Sequence, residues 1–301
     1  MQHDPDRALI SVIVPTFQDA HELQSCLEAL RTQDTCLPFE VIVVNSDSKQ
    51  HIDLPDGLPG RVVNCDLPLA PGAARNCGAK HSQAKYLAFT DADCQPAASW
   101  LRAATAALDS GLDLVGGVVK NLRPLNPIAV TDNLLQFTDY SPGRPRGETD
   151  HLPGCNMAVR RGIFEDVGGF DEDSPSGEDV MLAEAISRRD PSRALFEPSL
   201  VVRHEGRRTL SAMWNHQKSF GFHRARLGLR LQSSMQQRLR SPAFAGYFCM
   251  RRFIYLAYRN ASWYASGFPR FLLLVPWIAI ALTAYGVGLH RGAGPAMNGD
   301  G

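Results

Sequence analysis

The chain has 301 residues, 44% of them hydrophobic and 21% charged, enough to bury a sizeable core in one large domain with an appendage. Its 31 lysines and arginines balance 31 aspartates and glutamates, which excludes a protein coated in base for nucleic acid. Seven cysteines, an odd number with no C-x-x-C pair, argue against a zinc site or a disulfide framework and point to a reducing compartment.

Residues 1–7 are polar and precede no apolar run typical of a signal peptide. Residues 9–14 form a short apolar run ending at Pro15 and predict a buried strand. A helix is predicted over 19–33, where Asp19 and Glu22 make a capping-box pattern and Leu23, Leu27 and Leu30 share one face. Residues 39–44 predict a second buried strand and 61–65 a third. Helix 72–84, strand 86–89, helix 100–108 and strand 114–119 follow. This alternation predicts an α/β fold with a mostly parallel sheet covered on both faces. Ligands of such sheets bind beyond the carboxyl ends of the strands. That rule singles out Thr16, Phe17, Asn45, Asp47, Asp91 and Asp93.

Residues 121–151 are rich in Pro, Gly and charge, and a long loop or flap is expected there. Beyond Leu200 the chain turns basic and aromatic, with Arg203, Arg207, Arg208, Arg224, Arg226, Arg230, Arg238 and Arg240 ahead of an amphipathic stretch around 251–259. Residues 271–289 carry no charge, and their length approaches the roughly 20 apolar residues that span a bilayer. Pro276 is compatible with a membrane helix. A span is expected, with a buried core helix as the alternative. Arg251, Arg252, Arg259 and Arg270 precede it, so the positive-inside rule places the N-terminal domain in the cytoplasm. The expected division is an α/β domain over 1–230 and a helical, membrane-associated region over 231–301.

Asp91-Ala92-Asp93 follows a buried strand. Two carboxylates one residue apart can both reach a hard cation, and that cation can take further ligands from a diphosphate. The bland alternative is that Asp91 ends the strand and Asp93 caps a turn. Glu178 and Asp179 open a helix after Gly177, where the macrodipole accounts for acidic residues as well as catalysis does. The segment from Pro71 to Asn76 opens another helix, a position where backbone N–H groups favour a phosphate. Gly168 and Gly169 suggest either backbone in close approach to something or simple turn chemistry. His204 lies after a predicted strand and is suited to a metal or a phosphate, or to a structural role.

Taken in order, SVIVPTF, FEVIVVNSDS, APGAARNCGAK, YLAFTDADCQP, GCNMAVRR, VGGFDE and GEDVML resemble glycosyltransferase family 2, over residues 9–204. The resemblance implies a GT-A nucleotide-binding sandwich that inverts at the anomeric carbon. It implies a nucleotide-sugar donor, a divalent metal (Mg²⁺ or Mn²⁺) and a glycan or lipid-linked acceptor, in cell-surface glycan or glycolipid synthesis. Pro15, Thr16 and Phe17 match the segment lining the nucleobase pocket, and Arg75 and Asn76 the helix start beside the nucleoside. Asp91 matches the carboxylate near the ribose and Asp93 the metal-binding one. Asp179 matches the catalytic base with Glu178 as its neighbour, and His204 a histidine approaching the metal or diphosphate. The family's paired acids after the second strand are displaced here, in Asn45-Ser46-Asp47-Ser48, which leaves Asp47 as the candidate. The Q-x-x-R-W signature of processive synthases is absent, which implies addition of single sugars. A catalytically inactive nucleotide-sugar-binding protein and a sugar nucleotidyltransferase are the alternatives. The latter would carry a Gly- and base-rich loop where this chain has PTFQDAHE.

Overall fold

The computed structural model describes residues 8–18, 20–47, 49–174, 176–231, 238–263 and 268–294. The predicted helix cap Asp19 and residues 1–7 lie outside these, as does the side chain of Arg230. The chain divides into two compact units, Met1–Lys120 with Tyr140–Glu205, and Asn121–Asp139 with Gly206–Gly301. The division falls after residue 205, whereas the sequence suggested residue 230.

The first unit is built on β1 (Ile10–Thr16), a β-branched run buried almost throughout. Such a strand needs cover on both faces and neighbours on both edges. It pairs in parallel with β2 (Phe39–Asn45) and β4 (Tyr86–Phe89), and β2 with β3 (Gly60–Asn64). Helices α1 (Ala20–Arg31), α2 (Pro71–Lys80) and α3 (Trp100–Asp109) connect these strands and those that follow. The helix expected over 72–84 stops at Lys80, where the His81 N–H donates to the carbonyls of Gly78 and Ala79.

Beyond β4 the sheet mixes directions. Strands β5 (Cys94–Pro96), β6 (Leu114–Asn121), β7 (Gly147–Glu148), β8 (Met157–Arg160) and β9 (Ala194–His204) complete a nine-stranded sheet among the described residues, in the order β3-β2-β1-β4-β8-β6-β9-β5 with β7 on β9. β8 runs antiparallel to both β4 and β6, so β6 points the same way as the parallel set. Trp100, Tyr86, Phe89, Phe170 and Phe196 are fully buried and fill the core. Helices α5 (Arg161–Asp166) and α6 (Glu178–Ser187) lie between β8 and β9.

Residues 121–151 are not the expected loop. They contain α4 (Pro127–Phe137), a 3₁₀ turn (Thr138–Tyr140) and β7. The Asn126 side chain caps α4, accepting the N–H groups of Ile128 and Ala129, both at 3.0 Å. Pro127 takes the first helical position, where its missing N–H costs nothing. Pro127, one of the prolines behind the expectation of a loop, is therefore a helix start signal. The second unit adds α7 (Leu210–Leu231), α8 (Pro242–Trp263) and α9 (Phe268–Gly292). Helix α9 contains the apolar stretch 271–289, with Pro276 inside it, and is long and apolar enough to fit a membrane anchor.

Candidate active site

The carboxyl ends of β1 and β2 form a shelf. Thr16 sits opposite Asn45 in the register, and its carbonyl accepts the Ser46 N–H at 3.0 Å. Its hydroxyl is buried with no hydrogen-bond partner among the described residues. Pro15 is half-buried, and Phe17 is 43% exposed, leaving a ring face open to solvent. The Asn45 amide donates to Gln50 O and Asn64 Oδ1, both at 2.9 Å, while its oxygen accepts the Asp47 N–H at 3.0 Å. Asp47 uses one carboxylate oxygen on the Lys49 N–H, at 3.0 Å. This Asx turn fixes the loop after β2.

Arg75, on α2, organises the centre. Its side chain is 5% exposed. One terminal nitrogen donates to Asp91 Oδ1 at 2.7 Å and the other to Glu178 Oε1 at 2.6 Å. Its guanidinium also lies over the Phe170 ring, 5.4 Å from the centroid. A Cβ at Gly154 would come within 3.0 Å of the guanidinium carbon, so that position has no room for a side chain. Burial works against the Arg75 charge, but Asp91, Glu178 and Asp179 outweigh it and hold the group firmly protonated. Burial pushes the Glu178 carboxyl above its usual range, neighbouring Asp179 adds to this, and Arg75 opposes both.

Asp179 follows directly and is half-buried. Its Oδ2 accepts the Gly154 N–H and its Oδ1 the N–H of Val180, both at 2.8 Å. Gly177, in the left-handed region at φ 86°, turns the chain into α6 and sets this carboxylate at the helix start. Asn76 is committed elsewhere. Its amide donates to Phe170 O at 2.8 Å and Glu172 Oε1 at 2.9 Å, and its oxygen accepts the Phe170 N–H at 2.9 Å. The close approach expected at Gly168–Gly169 is to this side chain. Gly169 has φ 74°, and a Cβ there would lie 2.7 Å from Asn76 Oδ1. Gly169→Ala should therefore cost at least about 1–2 kcal/mol in urea unfolding, the usual penalty of a side chain in the left-handed region.

Asp93 and His204 form a second pair. Antiparallel β5 and β9 set Cys94 opposite His204. The Glu205 N–H bonds to the Asp93 carbonyl at 3.0 Å, and His204 Nε2 comes within 3.4 Å of Asp93 Oδ2. The histidine side chain is 7% exposed and the aspartate 21%. Among the described residues no group of three or more His, Cys, Asp or Glu side chains is placed to hold a metal ion. The Asp93 carboxylate suits Mg²⁺ or Mn²⁺, because such ions are commonly held through one or two carboxylates plus substrate phosphates, and the His204 imidazole is the softer donor of the pair. Asp91, with one oxygen on Arg75, is 34% exposed at its side chain.

Residues 11–168 match the family model described as glycosyl transferase family 2. The chain belongs to glycosyltransferase family 2. Among curated relatives of this family 2 chain, glycosyltransferase AglE of Haloferax volcanii is 32% identical over 181 residues, 57% of this chain and 59% of that one. The pre-mycofactocin glycosyltransferase of Mycobacterium tuberculosis is 28% identical over 229 residues, 72% of this chain and 46% of that one. The matched region thus spans about half the length of these relatives. Two solved structures share the fold. Mannosyltransferase PcManGT from Pyrobaculum calidifontis, in complex with GDP-Man and Mn²⁺, has a TM-score of 0.58 at 20% identity, covering 94% of this chain and 87% of that one. S. aureus TarS 1–349 has a TM-score of 0.51 at 16% identity, covering 94% and 90%.

The structure thus joins Arg75, Asp91 and Glu178 by hydrogen bonds, sets Asp179 beside them on the N–H groups of Gly154 and Val180, and pairs Asp93 with His204. Sequence reasoning gave no role to Gly154, whose N–H orients Asp179 and whose missing side chain admits Arg75. A glycine offers no chemistry to read, and only its place in GCNMAVRR pointed to it.

Proposed function

We propose that this family 2 member is a glycosyltransferase that moves a single sugar from a nucleotide-sugar donor to an acceptor hydroxyl, with inversion. The observation that carries this reading is the carboxylate of Asp179, oriented by the N–H groups of Gly154 and Val180 next to the buried Arg75–Asp91–Glu178 cluster. Pro15, Thr16, Phe17 and Asp47 form the nucleobase side of the donor site, and Asp91 faces the ribose. Asp93, with His204 beside it, would hold a divalent metal, Mg²⁺ or Mn²⁺, whose further ligands would be phosphate oxygens of the donor. When bound, that ion offsets charge developing on the departing diphosphate.

Asp179 performs the proton chemistry. The two backbone N–H groups it accepts hold it in place, and each oxygen keeps lone pairs for a third partner. The acceptor hydroxyl gives its proton to Asp179 as its oxygen bonds to the anomeric carbon from behind. The sugar–phosphate bond breaks on the opposite side, and its electron pair leaves with the nucleoside diphosphate. Glu178 does not compete for this role, since it is buried and already paired with Arg75.

The acceptor is a glycan or a lipid-linked sugar. The protein is membrane-associated through its C-terminal helices, with the catalytic unit in the cytoplasm. The seven free cysteines support the reducing side of the membrane.

The metal assignment is tested by thermal shift with a nucleoside diphosphate. Mn²⁺ should raise the melting temperature of the wild type with the nucleotide present, and Asp93→Ala should abolish that increment while melting normally on its own. Transfer should also stop in excess EDTA and return with Mn²⁺ or Mg²⁺. Full turnover in EDTA would remove Asp93 from its role.

A further inference from the structure

Within the second unit, α7 and α9 touch backbone to backbone. A Cβ at Gly221 would overlap the Tyr285 carbonyl, one at Gly288 the carbonyl of Lys218, and one at Gly292 that of Phe222. Met213 shares a packed cluster with Ile278 and Ala281, and Ala225 one with Leu289 and Ala293. The two helices therefore run parallel, side by side, from Met213 to Ala225. Whatever depth in a membrane α9 reaches, α7 reaches with it.

Helix α7 is unfit for hydrocarbon. Ser211, Asn215, Ser219 and Arg224 are exposed along it. On its packed side, His216 Nδ1 and Gln217 Nε2 meet Asp132 Oδ1 at 2.8 Å and 2.7 Å, and this acid on α4 is fully buried. From α8, Arg252 lies over the Tyr285 ring at 4.3 Å and donates to the Leu135 carbonyl at 2.6 Å. The helices packed on α9 thus carry a buried acid paired with an imidazole and an amide between α4 and α7, and a guanidinium on Tyr285 of α9 itself. Groups of this kind are rare and costly at the centre of a bilayer.

Helix α8 has the reverse character. Tyr247, Met250, Ile254 and Tyr258 follow helical spacing on one face, and their exposure runs from 56% at Tyr247 to 63% at Tyr258. Arg251 is exposed within the same stripe. On α9, Leu272 and Leu273 are exposed as well. Between the two helices opens a groove of about 630 Å³, lined largely by apolar residues such as Met250, Phe253 and Leu282, with His290 and Arg291 also on its wall. An apolar face this continuous is unusual on a surface that meets only water. Tyrosines present a ring to lipid and a hydroxyl to headgroups, and an arginine within the stripe reaches outward to phosphate.

We infer that the second unit is a monotopic membrane module: α8 and the exposed edge of α9 lie in the surface of an anionic phospholipid bilayer, and α9 does not cross it. The inference rests on the membrane association proposed above and is independent of the sugar-transfer chemistry. Acyl chains of the facing leaflet fill the groove, while Arg251 and Arg291 meet lipid phosphates.

The full chain, with a protease-cleavable tag after Gly301, is reconstituted on sealed vesicles of phosphatidylcholine and phosphatidylglycerol. Exposed Cys36 reports the side of the first unit through an impermeant maleimide. Protease should release the tag from the same side that labels Cys36. A tag protected from protease while Cys36 labels means that α9 spans, and overturns the inference. In flotation, Ile254→Asp with Tyr258→Asp should bind on the order of tenfold more weakly, and Arg251→Glu should lose the preference for vesicles containing phosphatidylglycerol over phosphatidylcholine alone. Unchanged flotation of the double variant overturns the assigned surface, and a wild type that binds no vesicles overturns membrane association altogether. Donor turnover, measured on the same samples, should be unaffected by these three substitutions and reports separately on the glycosyltransferase reading.

Discussion

Asp179→Asn is expected to lower turnover per folded molecule by about 10²–10⁴-fold, the usual contribution of a general base, while donor affinity stays near the wild-type value. The surroundings of Asp179 make this a sharper experiment than an isosteric swap usually is. Both carboxylate oxygens accept a backbone N–H at 2.8 Å, from Gly154 and Val180. Asparagine has one oxygen to offer, so one of these N–H groups must face the new amide nitrogen. A loss of about 1–3 kcal/mol of stability follows from that mismatch alone. A purely structural Asp179 predicts the same destabilisation with near-normal turnover once activity is scaled to the folded fraction. Chemical denaturation and single-turnover transfer on one preparation separate the two readings. The anomeric configuration of the product, followed by NMR, adds an independent check. Retention of the donor's configuration would falsify direct displacement.

The parallel half of the sheet was legible because β1 and β2 are β-branched runs and β4 a short apolar one, all three largely buried, a pattern that few other structures produce. The antiparallel insertion of β8 between β4 and β6 was not, since Met157–Arg160 is short and its pairing is decided by contacts far away in sequence. Helix α4 was missed because Asn126 and Pro127 also favour loops, and only the capping geometry tells the two apart. At the site, Asp91 and Asp93 read as one motif with a single residue between them. The fold sends Asp91 to Arg75 and Asp93 to His204, from α2 and β9 respectively. Helix α9 was legible as a long apolar segment. Its polar neighbours were not, because Asp132 and His216 are 84 residues apart in sequence.

Arg75→Met is expected to be the most damaging single substitution in the first unit, at about 3–5 kcal/mol, the range for removing one partner of a buried ion pair. Methionine fits much of the arginine's length, so the cost comes from charge more than from a void. Glu178, whose side chain is 8% exposed, would lose the guanidinium 2.6 Å from it, and Asp91 would lose its 2.7 Å contact. The cost should depend on pH, in a direction that follows from linkage. Burial and Asp179 already raise the Glu178 carboxyl above its usual range, against the pull of Arg75. Without the guanidinium, that carboxyl rises further. A raised carboxylate destabilises the fold when ionised, and the penalty disappears as pH falls through the raised value and the group takes a proton. The stability gap between wild type and Arg75→Met should therefore be widest near about pH 8 and shrink toward about pH 5, measured by urea unfolding across that range. Arg75→Lys keeps the charge but lacks the fork that reaches two carboxylates at once, so it should recover only part of the loss. A gap that stays constant with pH would mean that Glu178 is already neutral in the wild type, and that the network is held by hydrogen bonds more than by charge.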